Sequence, residues 1–330
     1  MVGTSKTLTI QKEALAEELA SLSDQYTAVM KQRRQVRDER ERLLFKKQAD
    51  DLLEQMRQVE DELEQLEDSE NNSNQIYLDI QANLPEIDFR ESMKVVDKIT
   101  SQFGREGGAA LFLIDNSYSM AGELCISRIR EQLKRQTRSF RYLKIEISSS
   151  GLYDELGLLE CLARYFNLPS ESTQDIKEYS QNIIQQICQS LQVGSVVFIE
   201  INKWDYLSCQ ERILPWFIRE FWCQLLEESR LIAQKNGLRR VNIVAVIDSE
   251  SQLKKECEAL PYYCTQDEFD SKKILKLPLN QWTEDDILEW LERYGCLPAS
   301  QIDVMAKQIY LKTMNGIPLM VCEALKKELA

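Results

Sequence analysis

The stretch Ala109-Ala-Leu-Phe-Leu-Ile-Asp-Asn-Ser-Tyr-Ser-Met-Ala-Gly-Glu-Leu-Cys-Ile-Ser-Arg-Ile-Arg130 sets a continuous apolar run against a short polar loop and then an amphipathic segment. Residues 109–114 suit a strand of a parallel sheet covered on both faces, and Leu124, Ile126 and Ile129 open a helix. Strand, loop and helix in this order frame a phosphate-binding loop. In a working loop, G-x-x-x-x-G-K-[ST], the glycines turn backbone N–H groups toward phosphates, the lysine supplies charge and the hydroxyl holds magnesium.

Of those residues only Gly122 stands here. With Gly122 as the second glycine, Glu123 takes the lysine position and Leu124 the hydroxyl position; other registers bring Ala121 or Met120 there, and none restores a lysine. Glutamate for lysine beside a phosphate turns attraction into repulsion, about 4 kcal/mol each way at roughly 4 Å and an effective dielectric near 20. The loop is therefore expected to reject ATP. Two readings remain open: a degenerate nucleotide site, with Asp115, Ser117, Ser119, Gly122 and Glu123 as its vestige, or an ordinary strand, turn and helix that never bound nucleotide.

Around this stretch strands alternate with helices. Strands are predicted at 109–115, 142–148, 195–201, 241–247 and 273–279, and helices at 90–104, 122–137, 152–166, 174–191 and 208–235. Such alternation predicts an α/β fold, a P-loop NTPase-like parallel sheet of about five strands with flanking helices. Residues 283–329 then read as a helical C-terminal part, with Thr283-Glu-Asp-Asp286 a good helix start and Gly316-Ile-Pro318 a break before the last helix.

The strand Val196-Val-Phe-Ile-Glu200 stands where a magnesium-binding acid would be. Asp205 is too far along to form the usual adjacent pair of acids, and a lone Glu200 also fits a loop-facing hydrogen-bond acceptor.

Residues 11–69 contain no Gly or Pro, and their apolar residues recur in steps of four and three. Leu15, Leu19, Leu22, Tyr26 and Val29 form one seam; Phe45, Ala49, Leu52, Met56, Val59, Leu63 and Leu66 form a second. These are coiled-coil seams. Arg37-Asp-Glu-Arg-Glu-Arg42 separates them with no apolar residue, so a bend there gives two antiparallel helices, the favoured reading, and its absence a single long helix. Residues 31–47 carry eight Lys or Arg, whereas 50–70 carry ten Asp or Glu against one Arg. Many of these charges fit solvated helix faces, but the apolar seams of so small a unit call for a partner. The predicted organisation is a helical coiled-coil domain at 1–72, a linker at 73–89 with 75–89 extended, and the α/β domain at 90–330.

Composition narrows the function. A net charge of −13 over 330 residues argues against nonspecific binding to nucleic acid or an anionic membrane. No apolar run spans a bilayer and the N-terminus lacks a signal-peptide core, so a cytoplasmic protein is expected. The nine cysteines form no C-x-x-C pair and read as reduced core residues. The absence of histidine removes Ser-His-Asp and Cys-His catalysis and histidine metal sites. No cofactor or metal is expected.

Over residues 90–330 the chain resembles the inactive STAND module, STAND denoting signal-transducing NTPases with numerous domains. The resemblance rests on Gly122-Glu-Leu-Cys-Ile-Ser-Arg128-Ile, the strand ending in Glu200, Val241 to Asp248, Leu277-Pro-Leu with Trp282 and Asp286-Ile-Leu-Glu-Trp290-Leu, and Asn315-Gly-Ile-Pro-Leu319. Gly316 and Pro318 are similar to the G-x-P motif by which active members approach nucleotide. Phe45-Lys-Lys-Gln and Glu62-Leu-Glu-Gln-Leu-Glu67 resemble helical effector-associated segments of bacterial conflict systems. The resemblance implies a noncatalytic adaptor whose N-terminal helices recruit an effector chain or self-associate into an oligomer or heterocomplex, with a degenerate nucleotide site. A nucleotide-binding switch without hydrolysis is the alternative.

Overall fold

A computed structural model describes residues 2–35, 47–48, 51–59, 80–147, 154–169, 175–207 and 209–329. The chain divides into two compact units, Met1–Ala82 with Leu325–Ala330, and Asn83–Ala324.

In the first unit α1 (Val2–Gln35) and α2 (51–59) lie side by side. Leu22 and Val29 are buried in one cluster with Leu52 and Val59, and Leu15, Leu19, Tyr26, Met30 and Met56 pack around them. A single straight helix would hold Leu22 and Leu52 about 45 Å apart, so the two seams meet in a helix pair and the single-rod alternative is excluded. Phe45, Leu63 and Leu66 lie outside the described residues. Leu53, one step from the seam, is 38% exposed.

The second unit is built on six parallel strands, one more than expected: β1 (Gly107–Ile114), β2 (Ser139–Glu146), β3 (Ser195–Asn202), β4 (Val241–Asp248), β5 (Tyr263–Cys264) and β6 (Ile274–Lys276). Their order is β2-β3-β4-β1-β6-β5, so β1 and β4 are central. The two residues of β5 are too few to carry a periodic signal. The strand expected at 273–279 is confined to β6, since Pro278 cannot donate to a ladder and its carbonyl accepts the Ser92 hydroxyl.

On one face α3 (Arg90–Ser101) and α4 (Gly122–Arg135) bury Val96, Ile99, Cys125, Ile126 and Ile129. On the other, α5 (Glu155–Ala163), α6 (Ile176–Gln189), α7 (Gln210–Trp216) and α8 (Cys223–Asn236) close a core around Leu111, Leu113, Ile199 and Ile243. The helix expected at 208–235 runs through a π-helical segment, Phe217–Trp222, just after Pro215. Proline cannot close the regular ladder, and the widened turn sends Phe217, Phe221 and Trp222 into the core. After the four-residue α9 (Lys255–Glu258) come α10 (Glu284–Tyr294), α11 (Ala299–Lys312) and α12 (Pro318–Leu329). At the helix start expected from Thr283-Glu-Asp-Asp286, Thr283 and Asp286 form a full capping box.

Residues 80–86 are not extended: 80–83 are helical and Leu84–Glu86 is a 3-10 turn. Leu84, Ile87 and Phe89 are buried, Phe89 edge-on to Trp282 at 5.7 Å, so apolar anchors replace the extended linker over these residues.

Candidate functional site

The loop between β1 and α4 follows the expected strand and precedes the expected helix, but its amides face inward. Asn116, Ser117 and Tyr118 donate their N–H groups to the carbonyls of Ser251 (3.4 Å), Ser249 (2.9 Å) and Glu250 (3.2 Å). Gly122 donates to Ser117 at 2.8 Å, and Ser249 donates back to Ile114 at 2.9 Å. The donors that would cradle phosphates are thus taken by the turn that follows β4. Gly122 is required by packing: a Cβ there would strike the Ser117 side chain and come within 2.9 Å of Ile114 Cγ2. Ala121, at the helix N-cap, is left-handed at φ 51°, a conformation that costs a residue with a Cβ about 1–2 kcal/mol.

Asp205 secures that turn. Its Oδ1 accepts from the Glu250 amide at 3.0 Å, and its Oδ2 from the Ser251 amide at 3.1 Å and hydroxyl at 2.7 Å. Glu250 is held further by the Tyr206 hydroxyl at 2.7 Å and by Lys203 at 3.6 Å. The acid too distant for a magnesium pair instead fixes the segment whose carbonyls pair with the β1–α4 loop.

Asp115 is buried and fully occupied. Its Oδ1 accepts from the Leu253 amide at 2.8 Å and its Oδ2 pairs with Lys276 at 2.8 Å. Burial works against the Lys276 charge, but the Asp115 carboxylate outweighs it and holds the amine above its usual range. Glu200 lies two residues before the end of β3, not at its tip. It accepts from the Tyr142 hydroxyl at 2.7 Å and the Asn202 side-chain Nδ2 at 2.8 Å, with Arg130 at 3.7 Å. Burial and this carboxylate push the Tyr142 phenol well above its ordinary value. Glu200 therefore accepts hydrogen bonds within the sheet, facing β2 and α4, and not toward a loop at the strand end as the acceptor reading expected.

Asp248 stands in the sequence only as the end of the apolar strand from Val241. It ends β4 beside Ile114 of β1, is 2% exposed, and its Oδ1 has no hydrogen-bond partner. Burial, reinforced by the charges of Glu123 and Glu200, raises its carboxyl to about 7 against the pull of Ser117 and Lys203. An acid closing the apolar run from Val241 was the available signal. Acidic charge thus converges where a nucleotide would bring more, although the described residues hold no group of three or more acids or cysteines able to ligate a metal.

Gly316 and Pro318 close the site from the C-terminal side. Gly316, at φ 89°, accepts from the Trp282 amide at 2.9 Å, and a Cβ on it would run into the Trp282 carbonyl. Pro318 opens α12, and the adjoining Leu319 amide donates to the Ser119 carbonyl at 3.1 Å. The structure therefore brings Asp115, Ser117, Ser119, Gly122, Glu123, Asp205 and the Gly316–Pro318 segment around one loop, while Glu200 belongs to the adjoining sheet face.

Fold and site together define a P-loop-like α/β module in which the amides of the β1–α4 loop are paired with the chain's own turn after β4. Residues 84–244 match the inactive STAND family and residues 5–66 match effector-associated domain 9, the two-part architecture that the sequence resembles. No curated protein matches it. Among solved structures it is similar to Cdc6p from Pyrobaculum aerophilum (16% identity, TM-score 0.44, covering 72% of this chain and 60% of that one). It is also similar to the Aeropyrum pernix ORC1 protein in complex with DNA (12% identity, TM-score 0.38, 74% and 58%). A third likeness is to Drosophila ORC bound to DNA (12% identity, TM-score 0.38, 71% and 52%). The chain thus spans three fifths or less of these proteins. No helix among the described residues is long and apolar enough to cross a membrane.

Proposed function

We propose that this protein is a noncatalytic adaptor of a bacterial defence or signalling complex, acting in the cytoplasm without cofactor or metal. In this reading residues 1–72 form the recruiting head, 73–89 connect it, and 90–330 are a scaffold that has given up nucleotide. The observation that carries it is the engagement of the Asn116, Ser117 and Tyr118 amides by Ser249–Ser251, in a loop where Glu123 stands for lysine. A module closed in this way offers rigid surface instead of turnover.

The head recruits an effector chain or a second copy by like-with-like helix association. Leu22, Val29, Leu52 and Val59 hold the two helices to each other, so the partner meets the outer face, where Leu53 is exposed, or exchanges a helix along the Leu15, Leu19, Tyr26 and Met56 seam. Light scattering on the full chain and a Leu53→Glu variant tests this. Self-association, or capture of a chain bearing a similar helical head, is expected for the parent and weakened at least tenfold in the variant with helicity unchanged. A chain that stays monomeric and captures no such partner contradicts the adaptor role.

A further inference from the structure

At the end of the sheet opposite the vestigial site, β1 projects beyond its neighbour. β4 pairs with all of β1 from Gly107 to Ile114, but β6 pairs only with Leu111 to Leu113; Gly107 is bridged to Gly104, its N–H donating at 3.1 Å, so no described strand flanks residues 108–110 on that side. The cause is a turn. The Asp270 carboxylate accepts from the Lys272 amide at 2.9 Å, its carbonyl accepts from Lys273 at 2.9 Å, and the Trp222 indole donates to the Ser271 carbonyl at 2.8 Å, which steers the chain away before β6 begins. Leu113 turns its carbonyl toward the β6 side, where it accepts from Leu277 at 2.9 Å, whereas the Ile114 carbonyl accepts from Ser249 beyond β4. Peptide groups alternate sides along a strand, so Ala109 directs its N–H and C=O to the vacated side.

That vacancy is a cavity of about 800 Å³ walled by Phe103, Leu226, Ala233 and Val241. Arg230 and Arg239 stand on its lining together with Glu106. Neither guanidinium has an ion-pair or hydrogen-bond partner among the described residues, in a chain whose net charge is −13. Lys272, near enough to Arg230 to feel its charge, is already paired with Glu227 at 3.0 Å. An open strand edge selects a peptide backbone, the apolar wall takes alternate side chains, and two uncompensated arginines select carboxylates.

We propose that this cavity takes an extended acidic peptide, added as a strand beside residues 108–110 of β1. It is a second contact surface, separate from the helical head and from the vestigial loop, and it does not depend on either.

The test is selection of a random-peptide display library on the immobilised full chain, followed by fluorescence anisotropy with the enriched peptides. The expected result is enrichment of sequences that combine Asp or Glu with β-branched residues. Their affinity falls at least tenfold in Arg230→Glu/Arg239→Glu, two exposed positions whose reversal leaves thermal unfolding unchanged, and the Ala109 amide exchanges at least tenfold more slowly when peptide is bound. Ala109→Pro, which removes that N–H, is the second variant and also loses binding. No enrichment, enrichment of neutral or basic peptides, or affinity indifferent to the charge reversal overturns the proposal. So does a single-stranded oligothymidylate that binds through the same arginines while no peptide is selected.

Discussion

Asp205 holds Ser251 twice, its Oδ2 accepting from the Ser251 amide at 3.1 Å and from the Ser251 hydroxyl at 2.7 Å. Ser251 in turn presents its carbonyl to the Asn116 amide. The loop that once invited comparison with a phosphate cradle is thereby satisfied from inside the chain, through an acid some ninety residues downstream. Asp205→Ala is expected to lower stability by about 1–3 kcal/mol, the cost of unpairing charge-assisted hydrogen bonds. Denaturant titration measures the loss, and hydrogen exchange should find faster exchange at Asn116, Ser117 and Tyr118. Unchanged protection at those amides would mean that the turn is held by something else.

Asp248 gives the pH dependence its sign. Its folded carboxyl lies near 7, above the ordinary 3.8, because burial penalises the charge. The native state therefore binds the proton more tightly than the unfolded chain, and this group's contribution is full below about pH 4 and is lost as pH rises through 7. Asp248→Asn should flatten the stability profile between pH 5 and 8. At pH 8 it should stabilise by up to about 4 kcal/mol relative to the parent. Thermal unfolding across that range would refute the assignment if the variant and parent profiles ran parallel.

Ala121 occupies the left-handed region at φ 51° as the N-cap of α4. Glycine accepts that conformation without a Cβ clash, so Ala121→Gly should stabilise the fold by about 0.5–1 kcal/mol. A lower unfolding midpoint would show that the Ala121 methyl packs better than its backbone suffers.

Gly316 is the reverse case. At φ 89° and against the Trp282 carbonyl it has no room for a methyl, so Gly316→Ala should cost about 2–4 kcal/mol. Tryptophan fluorescence during denaturation reports it directly, since Trp282 is buried at the contact. A change below about 0.5 kcal/mol would mean that the loop relaxes freely.

Much of the fold was legible because its signals are local. Long apolar runs gave β1, β3 and β4, and the helix start at Thr283-Glu-Asp-Asp286 gave the beginning of α10. Steps of four and three gave a seam, Leu15 through Val29, that packs as one surface. The two-residue β5 and the shortening of β6 at Pro278 left no period to read. At the site, the missing lysine could be read from one position, and so could the glycine requirement at 122. What closes the loop could not, because backbone carbonyls at 249–251 reach it only through tertiary folding, and any residue type supplies a carbonyl. Asp205 could be read only as an acid too far along to pair with Glu200, because sequence records the acid and not the amides it faces. The partially exposed position of Asp205 and the deep burial of Asp248 are likewise properties of the folded chain alone.

The most direct test of the central claim is calorimetric titration of the purified full-length protein with ATP and ADP in the presence of magnesium, paired with a phosphate-release assay. The account predicts no binding heat and no turnover, for the parent and for Glu200→Gln alike. Saturable nucleotide binding, or magnesium-dependent hydrolysis that the Glu200 substitution abolishes, would contradict it.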